Sequence, residues 1–333
     1  MKKVTMNDVA EKLNISRALV SYALHDKYGV SDSMKKRILT AAVEMGYYNR
    51  GFENKKSRKG VYVLIGSEFI GEDSFWTRII AGVESRVRAN KLNIHLLTVT
   101  EGNERSEIID KITSSSAYGL IVMRRVSESL VDLLDKIEIP KVFIDLTVSY
   151  SSINEVRANN YGNMIYLTEY LIKANHKKIL FVGDTNWALS FRQRYMGYCE
   201  AMDRYGLEKH AIIGSCETKE YSYDRVRTRE VLKNNPYTAI VCVNDSVADY
   251  VYEDIEASGL RIPEDISVVG FDDVPKAARQ APPLTTMHIP RFEMGEVAFN
   301  LLADQYRETN GSKIVCLNAY LKERQSVRVI EEE

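Results

Sequence analysis

Residues 4–47 read VTMNDVAEKLNISRALVSYALHDKYGVSDSMKKRILTAAVEMGY, and the spacing of apolar residues along them predicts three short helices. Thr5 with Asp8 three residues later makes a T-x-x-D start resembling a capping box. Met6, Val9, Ala10 and Leu13 follow at i, i+3, i+4 and i+7, one apolar helical face. Asn14 stops this helix because it tolerates a left-handed backbone, and Ser16 is the next N-cap. A second helix over Arg17–Leu24 buries Val20, Ala23 and Leu24. Its other face carries Arg17, Ala18, Ser21, Tyr22 and His25. Ser31 caps a third helix, which buries Ile38, Leu39, Ala42 and Met45 and ends near Gly46. Two short helices joined by a three-residue turn and backed by a third form a helix-turn-helix, whose second helix suits the major groove of DNA. A three-helix protein-interaction module is the alternative.

Charge points the same way. Residues 1–60 hold 13 Lys/Arg against 6 Asp/Glu, a net of +7, while the rest holds 32 against 40, a net of −8. A basic N-terminal segment on an acidic body suggests contact with a polyanion, although a solvated basic face would give the same count.

From Val61 the pattern changes. Apolar runs at Val61–Ile65, Ile94–Leu97, Leu120–Met123, Val142–Ile144, Ile179–Val182, Ala239–Val243 and Ser267–Phe271 alternate with amphipathic stretches. One such stretch carries Ile79, Ile80, Val83 and Val87; another carries Leu167, Tyr170 and Leu171. Alternation of this kind predicts doubly wound α/β structure with parallel sheets, and the length beyond residue 60 suits two lobes. Polar residues follow the runs: Gly66-Ser67, Asp145, Asn244-Asp245 and Asp272-Asp273. Open α/β sheets bind ligands at the carboxyl ends of their strands, so these residues predict a ligand cleft. Each could instead be a helix N-cap.

Other classes find less support. Cys199, Cys216, Cys242 and Cys316 form no C-x-x-C or Cys/His cluster, so neither a metal site nor a disulfide framework is expected. His25, His95, His176, His210 and His288 are scattered. No nucleotide-binding, P-loop or nucleophile-elbow motif occurs, which argues against an α/β enzyme and gives no sign of a cofactor. The N-terminus has no apolar signal region and no run approaches a membrane span, so a cytoplasmic protein without membrane contact is expected. That also disfavours an exported solute-binding protein of the sugar-transport type, the nearest alternative.

The motifs VT-x-x-DVA, Ile15-Ser16, Val20-Ser21, Val30-Ser31 and Gly46-Tyr47 resemble the headpiece of the lactose-repressor/galactose-repressor (LacI/GalR) family. SFW at 74–76, FRQRYMGY at 191–198, AIVCVNDSVA at 239–248, ISVVGFDDVP at 266–275 and PPLTTMHIP at 282–290 resemble its effector domain, so the likeness covers nearly the whole chain. The resemblance implies an all-α headpiece (1–48), a hinge or linker (49–60) and a two-lobed, periplasmic-binding-protein-like body (61–333) for effector binding and dimerisation. Its N-lobe would hold about 61–157 plus 291–314, and its C-lobe about 158–287 plus 315–333, with crossovers near Val156–Asn159, Thr286–Arg291 and Ile314–Leu317.

The same resemblance implies residue roles. Thr5, Ser16 and Ser31 would touch phosphates, Arg17, Ala18, Ser21 and Tyr22 would face bases or phosphates, and His25 shares their helix face. Tyr22 stands where the family has arginine, so an altered operator is expected. Lys56 stands near the family's minor-groove leucine, so Arg50, Lys55 and Lys56 would bind by charge. Phe75, Trp76, Asp145, Arg194, Asn244 and Asp272 match cleft positions for a sugar-like effector, and Trp187 is a further candidate. Asp73-Ser74 replace the usual Asn-Pro, and Asn159 or Asn160 replaces the usual aspartate. The expected function is a ligand-controlled repressor, dimeric or tetrameric, on double-stranded operator DNA.

Overall fold

A computed structural model describes residues 4–24, 29–45, 47, 60–66, 75–99, 108–109, 112, 117–123, 128–146, 153–214, 223–234, 236–307 and 311–331. His25, Arg50, Lys55 and Lys56 lie outside the described residues.

The headpiece has three helices: α1 (Met6–Leu13), α2 (Arg17–Leu24) and α3 (Asp32–Glu44). Thr5 caps α1 with a reciprocal capping box, and Asn14 closes it at φ 53°. Ser16 Oγ accepts from the Leu19 N–H at 3.1 Å, which starts α2 three residues after α1 ends. Val9, Val20, Ala23, Leu24, Ile38 and Ala42 form the small core, with Tyr47 packed beneath. Met45, expected to be buried, is only half-buried.

The body contains β1 (Gly60–Gly66), α4 (Phe75–Ala89), β2 (Asn93–Val99), β3 (Ala117–Met123), α5 (Glu128–Asp135), β4 (Lys141–Ile144) and β5 (Glu155–Ala158). There follow α6 (Asn160–Lys173), β6 (Ile179–Val182), α7 (Leu189–Arg204), β7 (His210–Ile212), α8 (Arg225–Lys233), β8 (Ala239–Cys242), α9 (Asp245–Ala257) and β9 (Ser267–Asp272). The last elements are β10 (Thr285–His288), α10 (Arg291–Asp304), β11 (Ile314–Leu317) and β12 (Tyr320–Lys322).

They build two six-stranded sheets, ordered β11-β5-β4-β3-β1-β2 and β12-β10-β9-β8-β6-β7. The two orders correspond strand for strand, and both place consecutive strands on either side of the first strand of the sheet, as a doubly wound fold does. Pairing is parallel except for β12 against β10. The chain passes between lobes at 158–160, 288–291 and 317–320. The third passage falls later than the expected division at 314–315, because Ile314–Leu317 pairs with Glu155–Ala158 in the first sheet.

In the first lobe, α4 and α10 cross at two glycines. A Cβ on Gly82 would lie 1.9 Å from the Phe292 carbonyl oxygen, and one on Gly295 would lie 2.1 Å from that of Ile79. Only glycine permits this backbone approach, and it fixes where α4 presents Phe75 and Trp76.

Candidate functional site

On the headpiece, Arg17, Ala18 and Tyr22 stand on the outer face of α2. Tyr22 is 45% exposed. Ser21 is half-buried on the same helix. The hydroxyls of Thr5, Ser16 and Ser31 all accept at helix starts, Ser31 from Met34 N–H at 3.4 Å. The Thr5 proton is committed to Asp8 Oδ2 at 2.6 Å. Capping at Ser16 uses an oxygen lone pair, a role that leaves the hydroxyl proton for donation to a phosphate; the Ser31 hydroxyl also lies 3.2 Å from Ser33 Oγ.

Between the lobes, Arg194 organises the second-lobe wall. It is 3% exposed, although it sits on a helix. Its Nε donates to Asn160 Oδ1 at 2.9 Å, one terminal nitrogen donates to the Val243 carbonyl at 2.9 Å, and the other lies 3.1 Å from Asp272 Oδ1. The guanidinium lies 4.0 Å over the Phe271 ring and 5.5 Å from Phe191. Those planar contacts suit arginine and would not suit lysine.

Asp272 ends β9 at φ 119°, a backbone state rare outside glycine. Burial pushes its carboxyl upward; Arg194 and Arg291 oppose that, and the nearby negative charge of Asp145 adds to it. Asp145, just after β4 in the other lobe, is therefore near enough for its charge to act on Asp272 across the lobes. It too has a positive φ, 52°. The Arg291 guanidinium lies 5.8 Å over the Phe75 ring. Phe75 is half-buried, whereas Trp76 is 3% exposed and packs edge-on against Phe75 at 5.1 Å. Phe75 thus carries the more accessible aromatic face.

Asn244 caps α9, accepting from the Val247 N–H at 2.9 Å. Its oxygen serves the helix. Trp187 is 8% exposed and packs into the hydrophobic core ahead of α7. Arg194 and Asp272 come together directly, Asp145 acts on Asp272 by charge, Phe75 reaches the group through Arg291, and Asn244 adjoins through the Val243 carbonyl.

Of the two asparagines that the sequence left as equals, Asn160 holds Arg194 and Asn159 caps α6 through the Gly162 N–H at 3.1 Å. Phe191, Phe271 and Arg291, which the sequence did not single out, complete the walls. Glu155, on β5, is 1% exposed, and burial raises its carboxyl to about 7 with Asp145 adding to the shift. It opens β5, a strand that also carries Arg157, so no local pattern marked it for burial. Asp245 turns inward, accepting from Thr286 Oγ1 at 2.6 Å and from the Val274 N–H at 2.9 Å. Burial raises its pKa well above the usual range.

Among the described residues, no group of His, Cys, Asp and Glu is arranged to hold a metal, and no helix is long and apolar enough to cross a membrane. Residues 5–49 match the model for bacterial regulatory proteins of the lacI family, and residues 168–327 match a periplasmic binding protein-like domain. The chain thus joins a lacI-family headpiece to a periplasmic-binding-protein-like body. It is 25% identical to the ribose operon repressor of Haemophilus influenzae over 92% of its length and 93% of the relative's. It is 26% identical to the HTH-type transcriptional repressor PurR of Photobacterium profundum, covering 97% and 98% of the two chains. A solved complex of the transcriptional regulator CelR with cellobiose shares the fold, with a TM-score of 0.73, 24% identity, and 97% and 99% coverage. The chain is a DNA-binding regulator rather than an enzyme, and the headpiece match decides against a transport protein.

Proposed function

We propose that this chain is a cytoplasmic repressor that binds operator DNA as a homodimer, with affinity set by a sugar or sugar derivative held between its lobes. A tetramer is the alternative assembly. The buried cluster of Arg194, Asp272 and Asn160, faced by Asp145, Phe75 and Arg291, carries this reading. Two aspartates balance two arginines, so a neutral ligand rich in hydroxyls suits the site. Carboxylates accept from vicinal hydroxyls, arginine donates in a planar fork, and an aromatic face covers ring C–H groups. The names of the ribose operon repressor and of the cellobiose complex support this ligand class.

A ligand that bridges the lobes favours one interlobe angle, and the spacing of two headpieces across the dimer changes with it. Its effect is bounded by its differential affinity for the two arrangements. Ser16 and Ser31 are assigned to phosphates, as is Thr5 once its hydroxyl turns away from Asp8, and Arg17, Ala18, Ser21, Tyr22 and His25 are assigned to the major groove. Arg50, Lys55 and Lys56 are assigned to the DNA backbone.

A thermal-shift screen of neutral sugars, sugar phosphates and nucleobases tests the effector. A neutral sugar is expected to raise the midpoint by mass action, and Arg194→Ala is expected to abolish that rise. A response confined to nucleobases would overturn the ligand class, and one confined to sugar phosphates would overturn the neutrality argued from the paired charges. Selection of binding sites from random DNA tests the headpiece: recovery of the ordinary family half-site would contradict the role given to Tyr22.

A further inference from the structure

The loop after β9 does more than present Asp272. Its next residue, Asp273, also has a positive φ, 52°. One carboxylate oxygen, Oδ2, lies 2.6 Å from Nδ1 of His288, the last residue of β10 before the second passage between lobes. The other, Oδ1, accepts from Arg324 at 2.5 Å, just beyond β12 and the third passage. The Asp273 carbonyl oxygen accepts from Arg291 at 2.7 Å, and Arg291 is the first residue of the first-lobe helix α10. His288 and Tyr320 pair across β10 and β12 and pack ring on ring at 4.6 Å. Arg324 is anchored in turn on the Leu284 carbonyl at 2.7 Å.

We infer that Asp273 is a positioning residue that ties the effector-contacting end of β9 to two interlobe crossovers and to the first lobe. The inference rests on the reading of Asp272 as an effector contact. Movement of Asp272 toward a ligand must move Asp273, its neighbour in a constrained double left-handed turn. Asp273 then pulls on His288, Arg324 and Arg291 together. From Arg291 the path continues along α10 to α4, through the glycine crossing, to Phe75 on the opposite wall. The contacts form a contiguous chain of packed and hydrogen-bonded groups of the sort that carries coupling between sites. Burial pushes the Asp273 carboxyl up, but the bonds from Arg324 and His288 outweigh it and hold it below the usual carboxylate range. Asp273 is therefore ionised and firmly held.

Hydrogen–deuterium exchange on the full chain without any added ligand tests this. Asp273→Asn should speed exchange roughly tenfold in peptides spanning 285–291 and 317–324, with 179–182 and 239–242 unchanged. Asp265→Asn, which removes a surface ion pair elsewhere in the same lobe, should leave the crossovers as they are. His288→Gln removes one arm of the latch. It should give a smaller rise at 285–291, and it serves if Asp273→Asn does not fold. Combining it with Asp273→Asn should add nothing, because both act through one contact. Unchanged crossover exchange, or an equal rise in 179–182 and 239–242, would overturn the latch. Since no ligand is added, a failed sugar screen would remove the proposed effector and leave this result standing.

Discussion

Arg194 lies buried with each of its three nitrogens engaged, so its loss strands partners as well as a charge. Arg194→Ala leaves the Asp272 carboxylate in a dry site without its nearest cation. Urea unfolding should show a loss of about 3–5 kcal/mol, as expected when one member of a buried pair is removed. Glu155 gives a prediction of the opposite kind. Its carboxyl is raised from 4.5 to about 7, so the folded state favours the protonated form. Its contribution is fully present below pH 4.5 and is lost as pH rises through about 7. Glu155→Gln keeps an acceptor for Leu146 and removes the charge. At pH 8 it should be more stable than the parent by up to about 3 kcal/mol, and the two should converge near pH 4. His176 runs the other way. Burial lowers its pKa, so its contribution is present above the ordinary value of 6.5 and is lost as pH falls below it. The sequence named Arg194 and Asp272, but left Asn159 and Asn160 as equals. Which of two adjacent amides caps the helix and which meets the arginine depends on the turn at the end of β5, a matter of backbone direction.

Among the elements, the headpiece helices follow from local chemistry. Thr5, Asn14, Ser16 and Ser31 mark their ends, and the apolar spacing marks their faces. Thr5→Ala should cost about 1 kcal/mol by removing the α1 cap, measurable by thermal unfolding of the headpiece transition. The α4–α10 crossing is different. Nothing in the local sequence around Gly82 and Gly295 says that they meet, since they lie far apart in the chain. Their contact exists because both helices cover the same face of the first sheet. Gly295→Ala should destabilise the first lobe by roughly 2–3 kcal/mol, because its Cβ would strike the Ile79 carbonyl. A variant that unfolds at the parent's urea concentration would show that the helices can slide apart without cost.

At the scale of the whole molecule, charge separates the parts: +7 on the first 60 residues and −8 on the remainder. DNA binding should therefore weaken steeply with salt, and Lys56→Ala should reduce that slope by about one unit without changing sequence preference. Fluorescence titrations across a salt series measure it; an unchanged slope would remove Lys56 from the DNA contacts. The amino-acid sequence alone determined the helix-turn-helix, the α/β alternation and the polar residues after the strands, because caps and periodicity are local. Only the tertiary structure decided that the charge of Asp145 acts on Asp272 from the other lobe, that Phe75 is less buried than Trp76, and that Asp273 grips His288 and Arg324. It also decided that the third crossover follows Leu317. Those contacts join segments separated by tens to hundreds of residues, and they depend on how two sheets close upon each other, which no local spacing encodes.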